Sequence, residues 1–255
     1  MSVSYQPSGD SLKLLKSQNH MSTFNVIAFD ADDTLWYYER LYAETQAKIA
    51  TLLSSYGTPE EVDEHLNQVE LGNIRLYGYG IKSFALSMIE AATHLGNGHL
   101  SNKEVQAIIH YAKEMMAADI QLIDRVPETI SKLVKNYDLA IITKGDLFEQ
   151  EAKVSRSGLE PHFRFVEIVG QKSPENYARI LEKFRVSPER FLMVGNSLRS
   201  DILPVLELGC HAVYIPSEVT WVHEEAEVPP SEQEGFYQLE HIGELPALLE
   251  RIEPG

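Results

Sequence analysis

The chain has one cysteine, Cys210, among 255 residues, so no internal disulfide staples it. No apolar run approaches the roughly 20 residues that span a bilayer. Basic residues are scarce: 22 lysines and arginines stand against 38 acids, for a formal charge of -16 and a pI near 5.0. A binder of nucleic-acid phosphates carries a basic stripe or face, and this sequence has none, so no nucleic-acid partner is expected. Internal repeats and low-complexity tracts are missing as well. Residues 1–22 are polar and lack the apolar core of a secretory signal, and they read as a flexible lead with Met21 as an alternative start. These absences predict a cytoplasmic globular protein with no membrane partner, and they leave its oligomeric state open.

With 44% hydrophobic residues in 28.8 kDa, the chain can bury one sizeable core, or one core plus a smaller insert. The stretch Asn25-Val-Ile-Ala-Phe-Asp-Ala-Asp-Asp-Thr-Leu-Trp36 runs an apolar strand into acids. Residues 24–29 are too few and too β-branched or aromatic for a helix and read as a buried strand of a parallel sheet. Asp30, Asp32 and Asp33 then repel one another unless a cation or a transferred group offsets them. For the acids alone, a solvated turn is an equally good reading.

Over 37–124 the apolar positions recur at helical spacing, as in Phe84, Met88, Ile89 and Ala92 or Val105, Ile108, Ile109 and Ala112. Four or five helices fit. Thr58-Pro-Glu-Glu61 opens one with a cap and a proline in its first turn, Ser101-Asn-Lys-Glu104 is a capping box, and Gly96 closes the helix between. The glycine-rich segment 71–80 is expected to interrupt the block. With Arg75, Tyr77, Tyr79 and the following Lys82, it could line a pocket for an anionic ligand or be no more than an exposed connection.

From 126 onward, helix (126–134), strand (137–142), helix (146–157), strand (163–169), helix (173–184), strand (191–194), helix (198–208) and strand (211–215) alternate. Repeated βα units predict an α/β fold with a doubly wound parallel sheet. The acidic, proline-containing 224–235 reads as a solvated loop, followed by an apolar stretch, 236–239, and a helix over 244–252. The expected domains are a core of 23–36 with 125–255 and a helical insert over 37–124.

Parallel sheets take ligands outside the carboxyl ends of their strands. Those ends supply Asp30, Asp32, Asp33 and Thr34; then Thr143, Lys144 and Gly145; then Lys172; then Asn196, Ser197 and Asp201. Singly, each fits a turn or a solvated surface. Together, a hydroxyl beside backbone N–H groups, a lysine, and carboxylates for a hard cation form a set suited to a phosphoryl group with Mg²⁺.

In order, these fragments resemble the haloacid dehalogenase (HAD) superfamily of hydrolases, whose Rossmann-like core carries an α-helical cap inserted after the first strand. Asp30-Ala-Asp-Asp-Thr34 resembles the first motif, D-x-D-x-T, Thr143 the second, Lys172 the third, and Gly195-Asn-Ser-Leu-Arg-Ser-Asp201 the fourth. The resemblance implies a Mg²⁺-dependent phosphatase acting on a small phosphorylated metabolite, with Asp30 as the nucleophile that becomes a phosphoaspartate and Asp32 as general acid and base. It also implies that Lys172 screens charge, that Thr143 and its neighbours hold the phosphate, and that Asp30, the Asp32 carbonyl, Asn196 and Asp201 surround the metal. True dehalogenases of the family generally lack the second aspartate, which favours phosphate chemistry. The fourth motif departs from the pattern, because Asn196 stands where an aspartate is usual; weaker metal binding is the expected result. Two alternatives stay open, a phosphomutase and a non-catalytic relative. A receiver-like module is disfavoured by chain order, since its accepting aspartate follows a later strand.

Overall fold

A computed structural model describes residues 3–5, 23–217, 224 and 226–253. The chain divides into two units: Met1–Tyr37, Ile120–Lys144 and Gln150–Gly255 form one, and Tyr38–Asp119 with Gly145–Glu149 form the other. No helix among the described residues is long and apolar enough to cross a membrane.

The first unit is built on a sheet of strands β1 (Val3–Tyr5), β2 (Val26–Phe29), β3 (Asp138–Lys144), β4 (Phe165–Val169), β5 (Phe191–Gly195), β6 (His211–Tyr214) and β7 (Phe236–Gln238), in the order β1-β4-β3-β2-β5-β6-β7. Strands β2 to β7 run parallel, and β1 adds an antiparallel edge beside β4. This strand is the part of the expected 1–22 lead that lies within the described residues. All of β2 is buried, as a strand must be when both faces of its sheet are covered. The core around it includes Val26, Ala28, Ala140, Ile142, Met193 and Ala212, with Tyr177, Ile180 and Leu181 from helix α7 (Pro174–Phe184). The chain adds strands on one side of β2 (β3, then β4) and later on the other (β5, β6, β7), so the order reverses at β2. Ligands of open α/β sheets lodge at such a reversal, beyond the carboxyl ends.

The second unit is helical: α1 (Glu39–Leu52), α2 (Pro59–Tyr77), α3 (Ile81–Leu95) and α4 (Asn102–Ala117). Their starts are written locally. Thr58 Oγ1 accepts from the Glu61 N–H while Glu61 accepts from the Thr58 N–H, and Ser101 and Glu104 repeat the exchange at α4. Leu66, Phe84, Met88, Ile108 and Met115 are buried in this unit.

Three local readings are corrected. Residues 71–77 do not interrupt the helices but form the end of α2; Gly72 costs about 1 kcal/mol against alanine in a helix interior, too little to break one capped and packed along α3. The break is confined to 78–80, where Gly78 and Gly80 have φ of 77° and 116°. Strand β3 extends two residues past 142, because Thr143 and Lys144 pair with Ile168 and Val169 of β4. The helix expected over 198–208 opens as a wide π turn, Leu198–Ile202, before α8 (Leu203–Glu207), where Pro204 has no N–H to continue the ladder.

Candidate active site

Strand β2 delivers Asp30 to the reversal point, where its N–H donates to the Val194 carbonyl of β5 at 2.9 Å. The chain then doubles back: the Leu35 N–H reaches the Ala31 carbonyl at 2.8 Å, and Asp33 takes a left-handed φ of 58°, a conformation aspartate tolerates better than bulkier residues. This turn aims Asp30 and Asp32 at different partners.

Asp30 is buried and accepts from the Lys172 ammonium through Oδ1 and from Thr34 Oγ1 through Oδ2 at 3.2 Å. Lys172 Nζ also donates to Asp201 Oδ1 at 2.6 Å, and the two side chains are 2% and 1% exposed, so almost no water screens the pair. Burial alone pulls the Lys172 pKa down, but the Asp201 and Asp30 carboxylates outweigh it and hold the ammonium above its ordinary value. Asp201 is fixed in turn by the Ser197 N–H at 3.0 Å. Its carboxylate lies so close over Gly195 that any Cβ there would collide with it. Asn196 Oδ1 accepts from the same Thr34 hydroxyl, at 3.2 Å, so Asp30 Oδ2 and Asn196 Oδ1 flank one point.

Asp32 is held elsewhere. Lys153 Nζ donates to both of its oxygens, at 2.9 and 2.7 Å, Trp36 Nε1 donates to Oδ1 at 2.7 Å, and Gln150 Nε2 to Oδ2 at 3.0 Å. Lys153 and Gln150 lie on helix α6 (Leu147–Arg156), and no reading of the sequence singled them out. The structure gives the reason for their place: the buried positions of α6 are Glu149, Gln150, Lys153 and Val154, so three of the four side chains this helix buries are polar and need polar partners.

Thr143 is buried at the end of β3. Lys144, expected at a phosphate, has its ammonium on Glu224 and, at 3.2 Å, on Ser200 Oγ. Glu224 is the third unforeseen residue. The loop reading for 224–235 made it a solvated acid, yet its carboxylate also accepts from Ser197 Oγ and from Ser200 Oγ at 2.5 Å. Burial pushes its pKa up, but Lys144 and the two hydroxyls outweigh that and hold it below the ordinary value. Gly145 belongs to the helical unit, as do Arg75, Tyr77, Tyr79 and Lys82. Arg75 and Tyr77 are exposed at the end of α2, and Lys82 pairs with Asp146 at 2.8 Å.

Among the described residues, no three His, Cys, Asp or Glu side chains form a metal-holding group. A hard cation would rest instead on the carboxylates of Asp30 and Asp201 with the neutral Asn196 oxygen. That donor set fits Mg²⁺ by chemistry, though with less charge than three carboxylates supply. Asp30, Asp32 and Asp201 against Lys153 and Lys172 leave a net formal charge of -1, which also suits a cation.

Comparison with known proteins places the chain in a family. The pattern describing the haloacid dehalogenase-like hydrolases matches residues 24–209. A crystal structure of a haloacid dehalogenase-like family hydrolase from Xanthomonas campestris superposes with a TM-score of 0.82 at 33% identity, over 92% of this chain and 94% of that one. The glyceraldehyde 3-phosphate phosphatase of Pyrococcus furiosus is 27% identical over 91% of this chain and 95% of its own length. The N-acylneuraminate-9-phosphatase of Mus musculus is 25% identical over 91% and 96%.

Proposed function

The chain belongs to the haloacid dehalogenase-like hydrolases, and from that premise we propose that it is a Mg²⁺-dependent phosphatase that hydrolyses a small phosphorylated metabolite through a phosphoaspartate. The observation that carries the reading is the buried Lys172 ammonium bonded to both Asp30 and Asp201 at the carboxyl end of the sheet. A carboxylate and a phosphate dianion repel, and a lysine fixed against the nucleophile lowers that barrier before substrate arrives.

In this scheme an Asp30 oxygen attacks phosphorus and the bond to the leaving oxygen breaks. Asp32, which must enter this step protonated, gives that oxygen its proton and then takes one back from the water that attacks the phosphoaspartate, releasing phosphate and restoring both Asp30 and the Asp32 acid. Such proton transfer is worth about 10² to 10⁴ in rate. Thr143, with the N–H groups near Lys144 and Gly145, holds the non-bridging oxygens. Mg²⁺ bound by Asp30, the Asp32 carbonyl, Asn196 and Asp201 would neutralise phosphate charge.

The relatives' names point to phosphorylated sugars and sugar acids as the substrate class. Arg75, Tyr77, Tyr79 and Lys82 of the cap are the proposed contacts for the remainder of the substrate. The test is phosphate release from an aryl phosphate with Mg²⁺, then from a panel of phosphorylated metabolites. Asp30→Asn is expected to abolish release while leaving the fold intact; normal turnover by that variant would remove the mechanism. Asn196 favours a second reading, a non-catalytic relative, and phosphate release by the wild type would exclude it. Turnover that requires a bisphosphate activator would mark a phosphomutase.

A further inference from the structure

Resting on the reading of Asp32 as the proton carrier, we infer that Lys153 and Gln150 are positioning residues for that carboxylate. They stand three apart on α6 and so share a helix face. Both are buried, at 1% and 2% exposure. Lys153 spans both Asp32 oxygens, and Gln150 Nε2 bonds one of them together with the Lys144 carbonyl, each at 3.0 Å.

The amide of Gln150 has one sensible orientation. Its two neighbours on that side are acceptors, so turning it over would set its carbonyl against two oxygens. Held as it is, Gln150 Oε1 is buried with no hydrogen-bond partner among the described residues, an arrangement with a real cost. Packing alone would be served better by leucine at 150. What the glutamine supplies is a brace from Asp32 to the strand end carrying Thr143 and Lys144.

The partition of charge gives the brace its purpose. Asp30 and Asp32 are two residues apart, and a carboxylate swinging loose beside Lys172 would compete with Asp30 and Asp201 for it. Lys153 holds Asp32 away, leaving Lys172 to the other two. A proton carrier about 1 Å out of place loses on the order of 10² in rate.

Lys153→Met, Lys153→Arg, Gln150→Leu, Asp32→Asn and the double variant of Lys153→Met with Asp32→Asn are compared by kcat, KM and thermal unfolding, with an aryl phosphate and Mg²⁺. Lys153→Met is expected to lower kcat about 10²-fold with KM within about threefold, and Lys153→Arg to recover part of the loss. In the Asp32→Asn background, Lys153→Met is expected to cost nothing further, since no carrier remains to be misplaced. A full additional loss in that background, or wild-type kcat for both Lys153→Met and Gln150→Leu beside an inactive Asp32→Asn, overturns the positioning role. Undiminished kcat in Asp32→Asn overturns the reading of Asp32, and this inference with it. If Lys153→Met does not fold, Gln150→Leu carries the same comparison.

Discussion

Gly195→Ala tests the site through one methyl group. A Cβ at 195 would come within 2.5 Å of the Asp201 Cβ, and nearer still to its carboxylate, whereas real Cβ atoms stay beyond 3.0 Å. The obstruction is not the flexible tip of a surface side chain. Asp201 is 1% exposed and tied to Lys172 at 2.6 Å and to the Ser197 N–H at 3.0 Å. Something must shift by several tenths of an ångström, and whatever shifts loosens the bonds that set Lys172 against Asp30. Overpacking of this kind costs about 1–3 kcal/mol, or roughly 2–12 °C in Tm for a chain of this size. A misplacement nearing 1 Å costs about 10² in rate. The control is Gly170→Ala, because nothing lies within 4 Å of a Cβ there. Phosphate release and thermal unfolding are the assays. Wild-type rate and Tm in Gly195→Ala would refute the claim that the glycine exists to admit the Asp201 carboxylate.

Asn196→Asp adds a carboxylate at the Thr34 hydroxyl that Asp30 shares; calorimetry is expected to show Mg²⁺ binding tightened about tenfold, and an unchanged dissociation constant would take Asn196 out of the ligand set. Ser101→Ala removes the oxygen that accepts the Glu104 N–H at 3.3 Å and is expected to cost about 1 kcal/mol, read as faster hydrogen exchange in the first turn of α4. Cys210 is 2% exposed, and burial, then Glu189, pushes its thiol up to about 12. Ellman's reagent is therefore expected to leave the native protein unmodified and to react only in denaturant; rapid native reaction would contradict that burial.

The legible features were those decided within a few residues. Both capping boxes are exchanges between positions three apart, and Thr58 and Ser101 make the bonds their spacing implies. Strand β2 was legible because a fully buried strand leaves an unbroken apolar run. Where a neighbour in space decides, local reading failed. Thr143 and Lys144 look like loop, yet β4 has Ile168 and Val169 ready to pair with them. Gly72 looks like a breaker, yet α3 packs along the helix that contains it.

The same division runs through the site. Asp30, Lys172 and Asp201 each end or follow a strand, and a parallel sheet gathers such positions whatever lies between them. Lys153 and Glu224 follow no strand end. One sits mid-helix, 121 residues from Asp32, and the other lies 80 residues from Lys144. Both are charged residues in charged surroundings, which a sequence presents as solvated surface. Burial changes their meaning, because an ion withdrawn from water must find a partner of opposite sign. The acids gathered at the head of the sheet create that demand: three carboxylates cannot share Lys172, so a second buried ammonium had to come from somewhere. Counting the three acids against Lys172 shows the deficit, and α6, whose buried face carries Gln150 and Lys153, shows where it is met.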